Sequence, residues 1–224
     1  FEKIIEVYFF QSQRQNLTVA FVEPQPVRIA NEVRRLPGVI AAEPFRMVPV
    51  RLHFEHRSRR VGVTGIVDGA DISRLIDMDL IPVEVPESGL VLSSRLAQIL
   101  GAGRGDTLVV EVLEGRKPVR QVVVAVVVEE YLGTAAYMRV DALNRLMQEG
   151  SRISGLYLLT DPAESAVLYR AFKDRPVVAA VVRQTAALEM FRATMEESLT
   201  IMTFFLTLFG AAIAFGVIYN TARI

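Results

Sequence analysis

His53 and His56 are the only histidines in the chain, and Glu55 stands between them. On a strand, residues 53 and 55 share a face while 56 points to the other side. A metal would therefore need a tight turn to bring both rings together, and a solvated hairpin is the reading the spacing favours. Arg51, Arg57, Arg59 and Arg60 surround the same turn. A local basic cluster can steer anionic partners or meet lipid headgroups, although charges on an exposed turn are usually only solvated. Gly101, Gly103 and Gly105 suggest a phosphate loop at first sight. Such a loop needs a strand before it and a helix after it, so that the helix N-terminus meets the phosphate. Here the order is helix first and strand second, which makes it a glycine-rich turn. The Arg104-Gly105-Asp106 triplet is common in turns and carries no adhesion function.

Other reactive groups are scarce. The chain has no cysteine, no Walker-type phosphate loop and no G-x-S-x-G elbow. Neither histidine stands near a serine in the sequence pattern of a triad. Glu129 and Glu130 are adjacent, and Asp77 and Asp79 alternate, with no sign of pairing for acid–base work. The expectation is a protein that is not an enzyme and holds no metal or cofactor.

Composition narrows the class further. The charges balance at 25 basic and 25 acidic residues, which argues against nucleic acid as a partner. Apolar residues make up 51% of the chain, and part of that excess lies at its C-terminal end. From Ser198 to Ala222 no residue is charged, and about 20 apolar residues suffice to cross a hydrocarbon core as a helix. A buried core helix rarely stays uncharged for so long, because one edge usually meets water. The expectation is a transmembrane helix. Gly210 and Ala214, and Ala212 and Gly216, lie four residues apart within it, a spacing that lets helices approach closely in lipid. Lys and Arg counts on its two flanks do not decide its orientation. A chain that starts at Phe1 and stops at Ile224, just past the span, is expected to be a piece of a larger membrane protein.

The elements that must carry these residues follow from periodicity. Residues 17–23 alternate as a strand, which Pro24 and Pro26 are expected to stop. Val27 to Leu36 carry a helical stripe closed by Pro37-Gly38. Val39 to Leu52 read as extended, with a hairpin near His56–Ser58 and a return strand at Val61 to Ile66. A second strand–helix–strand unit follows at Gly155–Leu159, Ala163–Phe172 and Val177–Val182. Between the two units, Asp71 to Asp79 read as a short helix or turn. Ser94 to Leu100 form a helix capped by Gly101. Thr107–Leu113 and Val119–Val128 form strands, and Asp141 is a plausible cap of a last short helix.

These elements imply an α+β fold: a split β-α-β lobe, an inserted β-rich lobe, then a long helix running into the span. The boundaries are 1–66 for the first half, 67–150 for the insertion, 151–184 for the second half, and 185–224 for stalk and span. No Gly or Pro interrupts Thr185 to Phe209. A continuous helix there would couple the globular part rigidly to the membrane.

Four stretches in order, RRLPGV (Arg34–Val39), AEPF (Ala42–Phe45), VTGI (Val63–Ile66) and VLSSRLAQILGAGRGDTL (Val91–Leu108), resemble the extracytoplasmic domain of MacB/FtsX-like ABC transporter permeases. AFGVIYNTARI (Ala214–Ile224) looks like that family's span. The resemblance implies a permease subunit in the plasma (inner) membrane, with residues up to about 197 extracytoplasmic. The partners it implies are a separate ABC-type ATPase, a second permease copy or paired subunit, membrane lipid and, in some systems, a periplasmic adaptor protein. It also implies transmission of motion to the far side of the membrane, with lipophilic substrates such as lipoproteins, lipids or amphipathic drugs. An FtsX-type regulator of a cell-wall hydrolase and a membrane receptor sensor are the other classes this architecture would serve.

Overall fold

The computed structural model describes residues 12–130, 133–184, 202, 203, 205–207, 209 and 210. It divides into two compact units, 1–184 and 185–224. In the first unit the architecture is α+β with a mixed sheet, as expected.

Strand β1 (Leu17–Pro26) leads to helix α1 (Arg28–Val33) and strand β2 (Val39–Phe54). The prolines do not stop β1. Its pairing with β8 (Arg152–Thr160) is interrupted after Ala20 and resumes at Gln25–Ile153 and Pro26–Arg152. A residue without an N–H is tolerated where the ladder is already irregular. Arg152 also donates to the carbonyl of Pro24 at 2.9 Å. Helix α4 (Ser165–Lys173) and strand β9 (Val178–Arg183) complete the second strand–helix–strand unit. The strands lie in the order β9-β1-β8-β2, all antiparallel, the arrangement of a ferredoxin-like split β-α-β sheet. Leu17, Val19, Ala42, Leu156 and Leu158 face α1 and α4, which add Ala30, Val33, Leu168 and Phe172 to one core.

The β2 strand does not end with that sheet. Val39 to Phe45 pair with β8, whereas Arg46 to Phe54 pair with β3 (Arg57–Ile66). From there the ladder runs β3 to β7 (Ala136–Arg139), β4 (Leu90–Ser93), β6 (Val119–Val128), β5 (Thr107–Val112) and back to β2. The ring closes into a barrel of those six strands, and closure removes the exposed edges an open sheet would keep. Inward residues alternate along each strand, so Val48, Val50, Leu52, Leu90, Leu108 and Val110 fill the interior.

Two helices pack against this barrel. Helix α2 (Ser94–Leu100) starts at Ser93, whose hydroxyl accepts the Leu96 N–H, and ends at left-handed Gly101, as the sequence implied. Helix α3 (Val140–Met147) has Arg139 at its N-cap. Asp141 is therefore not the cap but stands in the first turn, where its charge complements the helix dipole. Residues 71–79 form no helix. The backbone N–H groups of Asp71, Ile72 and Ser73 are taken instead by the side chain of Glu43.

Most of the span expected over Ser198–Ala222 lies outside the described residues, as do Ala212, Ala214 and Gly216. Among the described residues no helix is long and apolar enough to cross a membrane. In the second unit Met202, Phe205, Leu206 and Phe209 are exposed, and nothing lies within 4 Å of a Cβ built on Gly210.

Candidate functional site

The arginine hairpin sits at one end of the first unit. Asn16 binds Thr160 through its side chain at 2.7 and 2.9 Å and accepts the N–H of Gln184 at 3.1 Å. Asn16 and Gln184 thus stand side by side, next to Thr160. Val39 pairs with Thr160, and from there β2 runs 16 residues to Phe54. At ~3.3 Å per residue, that strand reaches up to about 50 Å. The hairpin is therefore at the far end of β2 from Asn16 and Gln184.

Register divides the four arginines between two faces. Arg57 and Arg59 pair with Phe54 and Leu52, on the face that turns into the barrel further along. At the open end their side chains emerge into solvent, and Arg57 reaches the carbonyl of Gln98 in the last turn of α2 at 3.5 Å. Arg60 lies directly opposite Arg51 on the outer face, a like-charge pair that costs stability. Arg51 is partly relieved by Glu111 on β5 at 3.3 Å, and His53 meets the same carboxylate at 3.1 Å. The His53 hydrogen bond first, with the charge of Arg51, lowers the Glu111 pKa. Arg59 and Arg60 are exposed and make no ion pair among the described residues. The hairpin thus presents a net positive surface.

His53 and His56 take different partners, since His56 stands beside Glu55 at 3.9 Å. Among the described residues no group of three or more His, Cys, Asp or Glu side chains could hold a metal ion. The glycine turn follows α2 and feeds β5. Asp106 accepts the Gly103 N–H at 2.7 Å, and the Gly105 N–H goes to Val124, so these amides are already occupied.

Sequence reasoning missed two buried charges. Glu43 is 9% exposed and accepts three backbone N–H groups at 2.9 to 3.2 Å. Burial raises its pKa despite those bonds. Arg46, 1% exposed, meets Glu114 at 2.8 Å, Glu149 at 3.2 Å and the Ser154 hydroxyl at 3.2 Å. Desolvation raises the Glu114 pKa, and Arg46 opposes the shift. The available signal was faint: two charges interrupting the otherwise apolar run Val39–Val50. Beside Arg46 a cleft of about 350 Å³ separates sheet from barrel, lined by Val22, Phe45, Met47 and Pro49. A second hollow of about 280 Å³ lies between α1 and α4, lined by Phe21, Ile29, Leu36 and Phe172.

This fold is shared with a protein of known structure. The periplasmic region of MacB from Actinobacillus actinomycetemcomitans matches over 85% of this chain and 98% of its own, with a TM-score of 0.52 and 14% identity. The extracellular domain of the noncanonic ABC-type transporter YknZ from Gram-positive bacteria matches over 74% of this chain and 99% of its own, with a TM-score of 0.45 and 13% identity. No family model and no curated protein matches the sequence. MacB is the kind of protein that the ordered motifs from Arg34 to Leu108 resemble, and the chain has its periplasmic fold.

Proposed function

We propose that this chain is the extracytoplasmic domain and one membrane span of a MacB/FtsX-like ABC transporter permease. The observation that carries the reading is the fold likeness to the MacB periplasmic region, which runs through almost all of that domain. In this reading residues 185–224 are stalk and span. Gly210, Ala212, Ala214 and Gly216 then face neighbouring helices in the membrane. A separate ABC-type ATPase turns over ATP on the cytoplasmic side, and the domain passes the motion outward to move a lipophilic substrate. The permease acts as a homodimer or with a paired subunit.

The arginine hairpin is the surface offered to a partner. Its exposed Arg59 and Arg60 make no ion pair among the described residues, which suits an acidic protein such as a periplasmic adaptor. Charge-reversing Arg59 and Arg60 should weaken such a complex and flatten its salt dependence.

The test of the whole reading is purification of the full-length protein from its own membranes. An ABC-type ATPase should co-purify in stoichiometric amount and lose its stimulation when the permease is removed. Recovery of the protein without any ATPase would sink the proposal.

A further inference from the structure

The chain crosses between sheet and barrel twice: within β2 at Phe45–Arg46, and in the connector 148–151 between α3 and β8. Arg46 is the first barrel residue of β2, and its guanidinium touches both crossings. One arm reaches Glu149 in the connector, and another reaches Ser154, the third residue of β8. The strongest contact, at 2.8 Å, goes to Glu114 in the turn between β5 and β6, which belongs to the barrel alone. Ser154 is itself tied to the next residue of β2, accepting the Met47 N–H at 3.0 Å and donating to its carbonyl at 3.2 Å.

Stability alone explains this arrangement poorly. Taking a guanidinium out of water is expensive, and well-packed apolar residues can replace a buried ion pair at little or no loss. The Arg46 Nε is buried without an acceptor among the described residues, which adds to the cost. What a forked, planar cation does better than an apolar filler is fix geometry, because three partners at set angles admit one arrangement. Glu114 anchors the guanidinium in the barrel, while Glu149 and Ser154 sit where relative rotation of the two bodies would pull them from it.

We infer that Arg46 is a latch that sets the angle between the four-stranded sheet and the barrel, so that the two turn as one body. The cleft beside it, lined by Val22, Met47 and Pro49, is the space into which they would fold if the latch were released. The inference would explain how a push on the sheet reaches the arginine hairpin. It concerns the domain alone and does not depend on the permease reading.

This chain has no cysteine of its own, so paired spin labels at introduced cysteines report on chosen sites within it in the full-length protein, any cysteine elsewhere being replaced by serine first. One pair, Ser58→Cys with Val167→Cys, spans barrel and sheet at exposed sites. A second, Ser58→Cys with Asp141→Cys, lies within the barrel lobe. The latch requires a narrow distance distribution for both pairs in the parent chain. Arg46→Met should broaden or displace the first by several ångströms and leave the second unchanged. Arg46→Lys, which keeps the charge but not the fork, should fall between. An unchanged first pair, or equal broadening of both, overturns the latch, because the second pattern is what a merely structural role produces. If Arg46→Met does not fold, Glu149→Gln removes the connector arm only, and an unchanged first pair in that variant overturns it as well.

Discussion

Barrel and sheet are made by one chain, sharing one strand, yet they handle their margins in opposite ways. The barrel closes on itself, so each of its strands is paired on both sides over part of its length. The sheet stays open. At its β2 margin, Ala42 to Phe45 are buried and Pro44 offers no N–H, while Glu43 ties down the loop beside it. At its β9 margin the strand Val178–Arg183 pairs, among the described residues, with β1 only. Its single charge, Arg183, is folded onto the Tyr169 ring at 5.2 Å. A strand that reads VAAVVR with no proline and no guarding charge is one that other backbones can add to. The difference teaches that edge closure and an open edge have been assigned to separate lobes.

The comparison can be broken most directly in the barrel core. Leu52 is fully buried there, and Leu52→Ala should cost about 2–5 kcal/mol in chemical denaturation. On the open margin Val182 is 47% exposed, and Val182→Ala should stay within about 0.5 kcal/mol. Similar losses at the two sites would erase the contrast.

Where the lobes meet, Gly155 sharpens it. A Cβ at this position would meet the Val19 carbonyl and the Phe45 ring, and Phe45 in turn stacks on Tyr157 at 4.3 Å between centroids. Gly155→Ala should cost about 1–3 kcal/mol through overpacking and change the near-ultraviolet signal of the stacked pair. Retention of both stability and signal would mean that the close approach is not required.

The buried and half-buried carboxylates give a weaker, pH-dependent handle. Burial raises the pKa of Glu43, Glu114 and Glu130. Such a group binds its proton more tightly folded than unfolded. Its contribution is complete below the unfolded pKa and is lost as pH rises through the folded one. The expected result is a melting temperature whose fall, between the ordinary carboxylate pKa and the raised ones, is shallower in Glu114→Gln than in the parent. Glu111 has the opposite sign, since its pKa is lowered, and its contribution disappears as pH falls through the folded value. A parent chain with the same slope as Glu114→Gln would contradict the assignment.

The smallest effect belongs to the hairpin. Arg60→Glu replaces a like-charge opposition to Arg51 by an attraction, so stability should rise by a few tenths of a kcal/mol. A loss on denaturation would show that Arg60 is held by something other than the pairing described.

Much of the local structure was legible in the residues. Ser93 and Gly101 bracket α2 because a hydroxyl cap and a left-handed glycine have local jobs. The β-branched run Val119–Val128 reads as a strand for equally local reasons. The arginine cluster was legible as a hairpin, but not its division into two faces, which depends on pairing register. Glu43 and Arg46 were invisible as buried groups, since a charge in a strand reads as solvent-facing until its partners are known. Those partners lie far along the chain, at residues 71–73 and at 114, 149 and 154.

By itself, then, the sequence determined most of the elements and their order, β7 excepted, and the long uncharged stretch at the C-terminal end, because propensity, capping and hydrophobic run length act over a few residues. Only tertiary structure decided that Val39–Phe54 is a single strand serving two bodies and that β3 pairs with β7 and β4 with β6 to close the barrel. It also decided that a lone arginine sits where the two bodies join. Each of these depends on contacts between distant segments, which periodicity along the chain does not encode.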